Sequence, residues 1–409
     1  MADRPRLSRG GASAAEHPGL GGGAVITLDP CAGVSPEELR ARRGTKWNRY
    51  APDVLPAFIA DMDFTVAEPV REVVAWSATH SAFGYGRLED QEELFRAASR
   101  WLATRHGWEP DPAQFLALSD VLQGIYTAIY TLTEPGDGVI VQGPIYPPFL
   151  HSIESQGRRV VDNRLIDANG VAALDLDGLR RVAADPRAKL LLLCNPHNPA
   201  GRVLRREELE AIAAIAVEHD LVVLSDEIWM DIVYPGYRHI PFASLGPEVA
   251  VRTITMTSAT KSFNLGGLRC AVAIFGSPAL RARFEALPPR VRGMPNVLGI
   301  RATIAAWTEG GPWFDAVTRQ LDANRQALGA FLHERLPRVR YRPPEGTYMA
   351  WLDFSAYGLE RPAVLLLERA RVALSDGADY GDSRCARLNF ATTPAILTTI
   401  CERIAAALV

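Results

Sequence analysis

Lys261 is the residue whose type and surroundings best fit covalent chemistry. It stands in a stretch of small hydroxyl residues and glycines, directly after the apolar run at 253–256. A lysine at the end of a buried strand can be partly desolvated, which lowers the pKa of its amine and lets it form a Schiff base. The hydroxyls of Ser258 and Thr260, with the guanidinium of Arg269, are the donors that a phosphate needs. The stretch indicates pyridoxal 5'-phosphate, although alone it also fits a solvated lysine in a loop.

Two further polar groups follow strand-like apolar runs. Asn198 comes after the run at 191–194, and Asp226 closes the run at 221–225. An Asp there can keep a pyridine nitrogen protonated, which makes the ring an electron sink, and an Asn amide can hydrogen-bond the ring's phenolic oxygen. Each alone fits equally well a loop with capping residues. The order Asn198, Asp226, Lys261, Arg269 at strand–helix–strand spacing favours the cofactor site.

Over roughly residues 35–409 the chain resembles the fold-type I pyridoxal-phosphate enzymes, the aspartate aminotransferase superfamily. Within it the chain is most similar to the MalY/PatB-like group of cystathionine β-lyases and cysteine C–S lyases. The motifs that carry the narrower resemblance are RRGTKW at 42–47, ADMDF at 60–64, FGYG at 83–86, NPHNP at 195–199, SDEI at 225–228, EGTYMAWLDF at 345–354 and RLNFAT at 387–392.

The resemblance implies further site residues. Gly124 and Ile125 are expected to present backbone N–H groups to the phosphate at the start of a helix, where the helix dipole favours an anion; a plain strand-to-helix turn is the alternative. Tyr146 is expected to stack on the pyridine ring, unless it only packs in its Pro-rich loop. Tyr85 matches the tyrosine that reaches the phosphate of the neighbouring subunit, which implies a homodimer with shared active sites; otherwise it lies in a surface turn.

Arg387 is the candidate for gripping the α-carboxylate of an amino-acid substrate, together with Asn198, because a guanidinium fork matches a carboxylate with two parallel hydrogen bonds. A structural salt bridge is the competing interpretation. Trp229 departs from the resemblance, since the lyase group has His and aminotransferases Tyr at this position. An indole donates one hydrogen bond and accepts none, so the contact to the cofactor oxygen is expected to be lost or altered. Arg269 is a second departure, because it matches the aminotransferase phosphate arginine.

The sequence indicates the cofactor more firmly than the reaction that the cofactor would catalyse. The resemblance implies a C–S β-lyase that converts an S-substituted L-cysteine into thiol, pyruvate and ammonia. Transamination by a class I/II aminotransferase, or a decarboxylation-coupled oxidative deamination of such a cysteine, stays open, because fold does not decide the branch. A binding module without turnover is a third hypothesis, disfavoured because the whole set of catalytic positions is present.

Composition and net charge limit which partners, cellular settings and metal sites are expected. The chain has 409 residues, 48% of them apolar and 22% charged, with a net charge of −3. That charge gives no reason to expect nucleic acid or an anionic membrane as partner, and no apolar run has the roughly 20 residues of a membrane helix. Five dispersed cysteines without metal-ligand spacing favour a reducing, cytoplasmic setting, and no metal site is expected.

Alternation of strand-like and helix-like stretches between about 70 and 300 predicts an α/β fold. We expect a mainly parallel sheet in a large domain, with a smaller α+β domain. The resemblance to fold-type I enzymes implies that this sheet has seven strands. The predicted division is a disordered tail at 1–23, an N-terminal segment at 24–70 that joins the small domain, a large cofactor domain at 71–300 and a small domain at 301–409. Predicted strands lie at 138–141, 159–165, 189–194, 221–225, 252–256 and 270–275, and their carboxyl ends are expected to carry the site.

Overall fold

A computed structural model describes residues 29–168 and 171–408. The tail predicted at 1–23 lies outside these residues. In the described part the strands are β1 (Leu55–Pro56), β2 (Phe115–Leu118), β3 (Gly138–Val141), β4 (Arg159–Asp162), β5 (Ile166–Ala168), β6 (Val171–Ala173), β7 (Ala188–Cys194), β8 (Val222–Asp226), β9 (Thr253–Thr257), β10 (Ala271–Phe275), β11 (Arg340–Tyr341), β12 (Met349–Asp353), β13 (Val372–Ala373), β14 (Ser375–Asp376) and β15 (Cys385–Asn389).

The α-helices of the same ranges are α1 (Pro36–Ala41), α2 (Thr45–Asn48), α3 (Glu68–Thr79), α4 (Leu88–His106), α5 (Val121–Leu132), α6 (Pro147–Glu154), α7 (Leu176–Ala183), α8 (Arg206–Glu218), α9 (Pro247–Ala250), α10 (Ala259–Ser262), α11 (Pro278–Glu285), α12 (Pro289–Arg292), α13 (Val297–Glu309), α14 (Gly311–Arg335), α15 (Pro362–Arg369) and α16 (Pro394–Leu408). None of these helices combines the length and the hydropathy that crossing a bilayer requires.

The central sheet has seven strands in the order β2-β10-β9-β8-β7-β3-β4. In this sheet β9, β8, β7, β3 and β4 run parallel to one another, whereas β10 is antiparallel to both of its neighbours, β2 and β9. The prediction of a mainly parallel seven-stranded sheet is therefore confirmed, and the six predicted strands correspond to β3, β4 and β7 to β10. The apolar runs of β3 and of β7 to β10 are buried almost throughout, as strands covered by helices on both faces require, whereas β4 at the edge of the sheet is only partly buried.

A second sheet of four antiparallel strands, in the order β11-β12-β15-β14, forms the centre of the smaller domain. The N-terminal segment is attached to this domain, because β1 pairs in parallel with β13, Leu55 opposite Val372. The division into domains stays a prediction, and residue 301 lies inside α13, which packs against α3 and α4. We therefore propose that the boundary lies at Gly310, between α13 and α14.

Candidate active site

Three neighbouring strands bring the predicted catalytic residues to one edge of the central sheet. Cys194 at the end of β7 is in register with Asp226 at the end of β8, which is in register with Met256 near the end of β9. Asn198 follows β7, and Lys261 lies on α10 directly after β9. Because the carboxyl ends of parallel strands meet at one edge, their side chains share one crevice.

Lys261 is half-buried in this crevice. Its Nζ donates a hydrogen bond to the carbonyl oxygen of Ala60 at 3.2 Å and lies 5.6 Å from the ring centroid of Trp229. Burial lowers the pKa of the Lys261 amine, against the opposing effect of the Asp61 carboxylate, because taking charge out of water disfavours the ammonium form. A larger fraction of the amine is therefore uncharged and nucleophilic near neutral pH than for an exposed lysine.

Asp226 is a buried carboxyl, 4% exposed. Its Oδ1 accepts a hydrogen bond from the backbone N–H of Ile228 at 3.0 Å. Burial raises the pKa of the Asp226 carboxyl to about 7, partly offset by that hydrogen bond. Within the described residues no lysine, arginine or histidine forms an ion pair with it. A protonated pyridine nitrogen is the kind of cation that would satisfy such a carboxyl, so Asp226 fits its predicted role.

Arg387 is buried beside Asn198 and is bound on several sides. Its Nη1 donates to Asn198 Oδ1 at 2.9 Å, and its Nη2 donates to the carbonyl oxygen of Phe58 at 3.0 Å and to Ser375 Oγ at 3.1 Å. Its Nε has no hydrogen-bond partner among the described residues, and no described carboxylate forms a salt bridge with it. A buried guanidinium with an unused N–H and no counter-ion fits a site for a substrate carboxylate.

Trp229 and Tyr348 close the crevice beside the lysine. The two rings meet edge to face, with centroids 4.7 Å apart, and the hydroxyl of Tyr348 donates to the same carbonyl oxygen of Ala60 at 2.9 Å. Trp229 is 3% exposed, and its Nε1 makes no hydrogen bond to the described residues. The indole ring therefore forms an apolar wall next to the Lys261 amine, and the altered contact to the cofactor oxygen stays a prediction.

The predicted phosphate cup needs a correction at Gly124. Its backbone N–H donates to the carbonyl oxygen of Asp120 at 3.2 Å, as part of the helix ladder of α5, and Ile125 lies one residue further into the helix. A Cβ at Gly124 would lie 2.6 Å from Leu118 and 2.8 Å from Met256. Glycine is therefore needed so that α5 can pack closely on β2 and β9. The first turn of α5 lies three residues before the predicted cup, because the helix begins at Val121.

Asp120, the N-cap of α5, marks the corrected position. Its Oδ1 accepts from the backbone N–H of Gln123 at 2.7 Å, and its Oδ2 forms an ion pair of 2.6 Å with Arg269 Nη1. In the first turn the N–H of Gln123 is capped by Asp120, whereas those of Val121 and Leu122 have neither a carbonyl partner inside the helix nor a side-chain cap among the described residues. Arg269 and the first turn of α5 thus lie together, as an anion site requires.

The two hydroxyl candidates for phosphate binding differ. Ser258 Oγ donates to the carbonyl oxygen of Cys270 at 2.6 Å and accepts from the backbone N–H of Thr260 at 3.0 Å, so its proton is directed away from a ligand in this structure. The hydroxyl of Thr260 makes no hydrogen bond to the described residues. Thr260 is therefore the better placed of the two donors.

The two predicted tyrosines lie in different surroundings. Burial raises the pKa of the Tyr146 phenol, with the charge of Arg387 acting in the opposite direction and that of Asp226 in the same direction. Tyr146 is therefore close to both Arg387 and Asp226. Tyr85 is fully exposed on the connection between α3 and α4 and makes no hydrogen bond to the described residues of its own chain. The single chain does not bring Tyr85 into the crevice.

Sequence reasoning missed four side chains that shape the site: Asp61, Tyr348, Ser375 and Tyr380. The guanidinium carbon of Arg387 lies 5.0 Å from the ring centroid of Tyr380, and Ser375 accepts its hydrogen bond. Asp61 and Tyr348 stand inside the quoted motifs at 60–64 and 345–354, but a motif alone does not tell which member faces a ligand. No three His, Cys, Asp or Glu residues within 29–168 and 171–408 are grouped to hold a metal ion.

The model of the aminotransferase class I and II family matches residues 59–404. Cystathionine beta-lyase PatB of Bacillus subtilis is 36% identical over 382 residues, which cover 91% of this chain and 98% of that protein. The crystal structure of OvoB is 38% identical, with a TM-score of 0.84, and the match covers 89% of this chain and 96% of that one. Cystalysin from Treponema denticola, whose crystal structure contains a pyridoxal 5'-phosphate cofactor, is 30% identical with a TM-score of 0.88, over 94% of this chain and 99% of that one.

Proposed function

Because the chain belongs to the aminotransferase class I and II family, we propose that it binds pyridoxal 5'-phosphate at Lys261 and cleaves the Cβ–S bond of an S-substituted L-cysteine. The products are a thiol, pyruvate and ammonia. The observation that carries this proposal is a lysine of lowered pKa in one crevice with a buried carboxyl that lacks a cation and a buried arginine that lacks an anion. The lyase branch is supported by the name of the relative PatB, a cystathionine beta-lyase. The cofactor is supported by the pyridoxal 5'-phosphate in the crystal structure of cystalysin.

Bound pyridoxal phosphate supplies an electron sink for the negative charge that forms when a substrate Cα loses its proton. Asp226 holds the proton on the pyridine nitrogen, because its buried carboxylate is stabilised by that cation. Asn198 has its Oδ1 engaged by Arg387, which leaves the amide N–H groups free to donate to the ring's phenolic oxygen. Tyr146 packs beside the ring.

The phosphate is proposed to bind at the start of α5. The N–H groups of Val121 and Leu122, the hydroxyl of Thr260 and the guanidinium of Arg269 supply the donors. Arg269 is already held at this place by Asp120. Ser258 would join them if its hydroxyl turned away from Cys270.

Arg387 binds the substrate α-carboxylate and thereby presents the Cα proton to Lys261. The Lys261 amine, which the substrate amine would release from the cofactor, takes that proton onto Nζ. The former C–H electron pair forms the Cα–Cβ double bond, and the Cβ–S pair leaves with sulfur as a thiolate that is then protonated. Water hydrolyses the resulting enamine to pyruvate and ammonia. Substrate and one water therefore account for all products, and no oxidant or second substrate is consumed.

Transamination, or a decarboxylation-coupled oxidative deamination, is the alternative branch at the same site. Two observations favour keeping it: the apolar Trp229 wall replaces a hydrogen-bonding His or Tyr, and Arg269 stands at the phosphate side as in aminotransferases.

We further propose a homodimer in which Tyr85 enters the partner's active site. Fully exposed Tyr85 lies near other exposed large apolar side chains in sequence, with Phe83 59% and Leu88 79% exposed. An exposed apolar group of this kind is typical of a surface covered by another chain. A cytoplasmic setting is proposed from the cysteines, all five of which are free thiols.

The test is product analysis of the purified, cofactor-loaded protein with cystathionine and a series of S-alkyl L-cysteines. The lyase proposal expects pyruvate and thiol in equal amounts, without an added amino acceptor. A keto acid or a shortened aldehyde that retains its carbon–sulfur bond would instead establish the alternative branch.

A further inference from the structure

Two buried histidine–carboxylate pairs stand behind the crevice, outside the groups that the proposed reaction uses. His106 Nε2 lies 2.9 Å from Asp231 Oδ1, and His239 Nε2 lies 2.8 Å from Glu227 Oε2. The side chains of all four residues are at most 7% exposed. Their imidazole rings meet edge to face with centroids 5.5 Å apart, so the two pairs form one cluster.

Asp231 joins α4 to α10, the helix that carries Lys261. Its Oδ1 also accepts from Trp101 Nε1 at 2.9 Å, and its Oδ2 accepts from Ser262 Oγ at 2.8 Å. Trp101 and His106 lie on α4, whereas Ser262 is the last residue of α10, next to the lysine. The direction of α10, and with it the direction of the Lys261 side chain, thus depends on this carboxylate.

Glu227 holds Asp226, on the other side of the cofactor site, in the same manner. Its Oε1 accepts from Ser225 Oγ at 2.8 Å and from the backbone N–H of Phe242 at 3.0 Å. These contacts fix the backbone on both sides of Asp226. The negative charge of Glu227 also acts on Asp226, since it raises the pKa of that carboxyl.

The segment from Asp226 to Asp231 carries functional groups of one wall of the crevice. Asp226 precedes Glu227, and Trp229, which lies over the Lys261 amine, stands between Glu227 and Asp231. Buried carboxylates cost desolvation free energy, and apolar residues of similar volume often stabilise a fold as well. Two buried pairs, one next to Asp226 and one bonded to the helix of Lys261, are therefore better explained by the placement of these groups than by stability.

We propose that Asp231 and Glu227, each held by its buried histidine, are positioning residues that set the placement of Lys261 and Asp226. This inference rests on the proposed function. The misplacement of a reacting group by about 1 Å can cost on the order of 100-fold in rate without changing substrate affinity.

The experiment uses the cofactor-loaded variants Asp231→Asn and Glu227→Gln, which keep side-chain volume and remove charge. We expect kcat to fall between about 10-fold and 100-fold with KM changed less than about twofold. The visible circular dichroism of the bound cofactor should also change, because it reports how the chromophore is held. Thr253→Val is the matched control: it removes a buried 2.7 Å hydrogen bond to Val249 at the far end of β9 and should lower Tm while leaving kcat and the dichroism unchanged.

A second pair of variants covers the case in which either charge-removing variant does not fold. His106→Gln and His239→Gln keep an N–H donor for each carboxylate and should retain more activity than His106→Ala and His239→Ala. Variants that lose Tm like the control but keep wild-type kcat and dichroism would overturn the inference. That failure is distinct from failure of the proposed function, in which the wild-type protein itself would neither bind cofactor at Lys261 nor cleave the substrate.

Discussion

Arg387 and Asn198 are joined by a buried hydrogen bond of 2.9 Å across 189 residues of sequence. Arg387 belongs to β15 in the four-stranded sheet, and Asn198 follows β7 in the central sheet. The proposed carboxylate ligand is therefore fixed in place relative to the residue that we propose to contact the cofactor ring. Movement of one sheet relative to the other would change both proposed contacts together.

Arg387→Ala should raise KM while the bound cofactor keeps its colour. A hydrogen bond to a charged group contributes about 1.5–3 kcal/mol, which corresponds to roughly 10-fold to 150-fold in affinity. Ser375→Ala should have a smaller effect in the same direction, since it removes only one of the two acceptors that orient Nη2. Steady-state kinetics with one S-alkyl cysteine measure both. An unchanged KM in Arg387→Ala would move the carboxylate site elsewhere.

Lys261→Ala should abolish both the yellow colour of the cofactor-loaded protein and its turnover. The chain has only three lysines, at 46, 189 and 261. Lys46 is in a buried ion pair with Asp63 at 2.9 Å, and Lys189 is exposed on β7. Borohydride reduction followed by peptide mapping should therefore label Lys261 alone. Lys189→Arg is the control, with unchanged colour and labelling; a label on Lys46 or Lys189 would contradict the assignment.

The sequence predicted the sheet, and the position of the proposed catalytic residues at its edge, for the same physical reason. Buried parallel strands have long apolar runs, and the polar residue that ends such a run must lie at the edge of the sheet, where Asn198, Asp226 and Lys261 are found. The position of Gly124 failed because a glycine near a helix start has two explanations. Only the 2.6 Å approach to Leu118 shows that packing, and not phosphate binding, requires it.

The contacts of the N-terminal segment could not have been predicted. The carbonyl oxygens of Phe58 and Ala60 accept from Arg387, Lys261 and Tyr348, which lie more than 200 residues further along the chain. Backbone carbonyl groups are present at every residue, so their use as acceptors leaves no mark in the sequence. Ser375 and Tyr380 were missed for a related reason, because their roles come from contacts with Arg387.

Asp226→Asn should keep the cofactor and lose turnover by several orders of magnitude, because an uncharged pyridine is a poorer electron sink. Absorbance and product formation, measured on the same sample, separate the two effects. A variant that turns over like the wild type would show that another group protonates the ring.

The same substitution should also change how the stability of the cofactor-free protein depends on pH. Burial raises the pKa of Asp226 to about 7, whereas an unfolded Asp titrates near pH 4, so between these values the folded chain holds more protons. The wild type therefore loses up to about 1.4 kcal/mol per pH unit from this group as pH rises from about 4 to 7. Asp226→Asn should lack that contribution in denaturant titrations. Parallel stability curves for the two proteins would contradict the raised pKa.

Mixing two inactive variants should restore activity if Tyr85 enters the partner's site. In a hybrid dimer of Tyr85→Phe and Lys261→Ala, one site receives native Lys261 from one subunit and native Tyr85 from the other. Random reassortment should then recover about a quarter of the wild-type activity, provided that Tyr85→Phe is itself badly impaired.

The control for this experiment pairs Lys261→Ala with Asp226→Asn. Both residues belong to the same crevice of one chain, so neither site of that hybrid is native and no activity should return. Tyr237→Phe, at another exposed tyrosine, should be fully active by itself. Sedimentation of the wild type should show a dimer; an active monomer, or equal recovery in both mixtures, would refute the shared site.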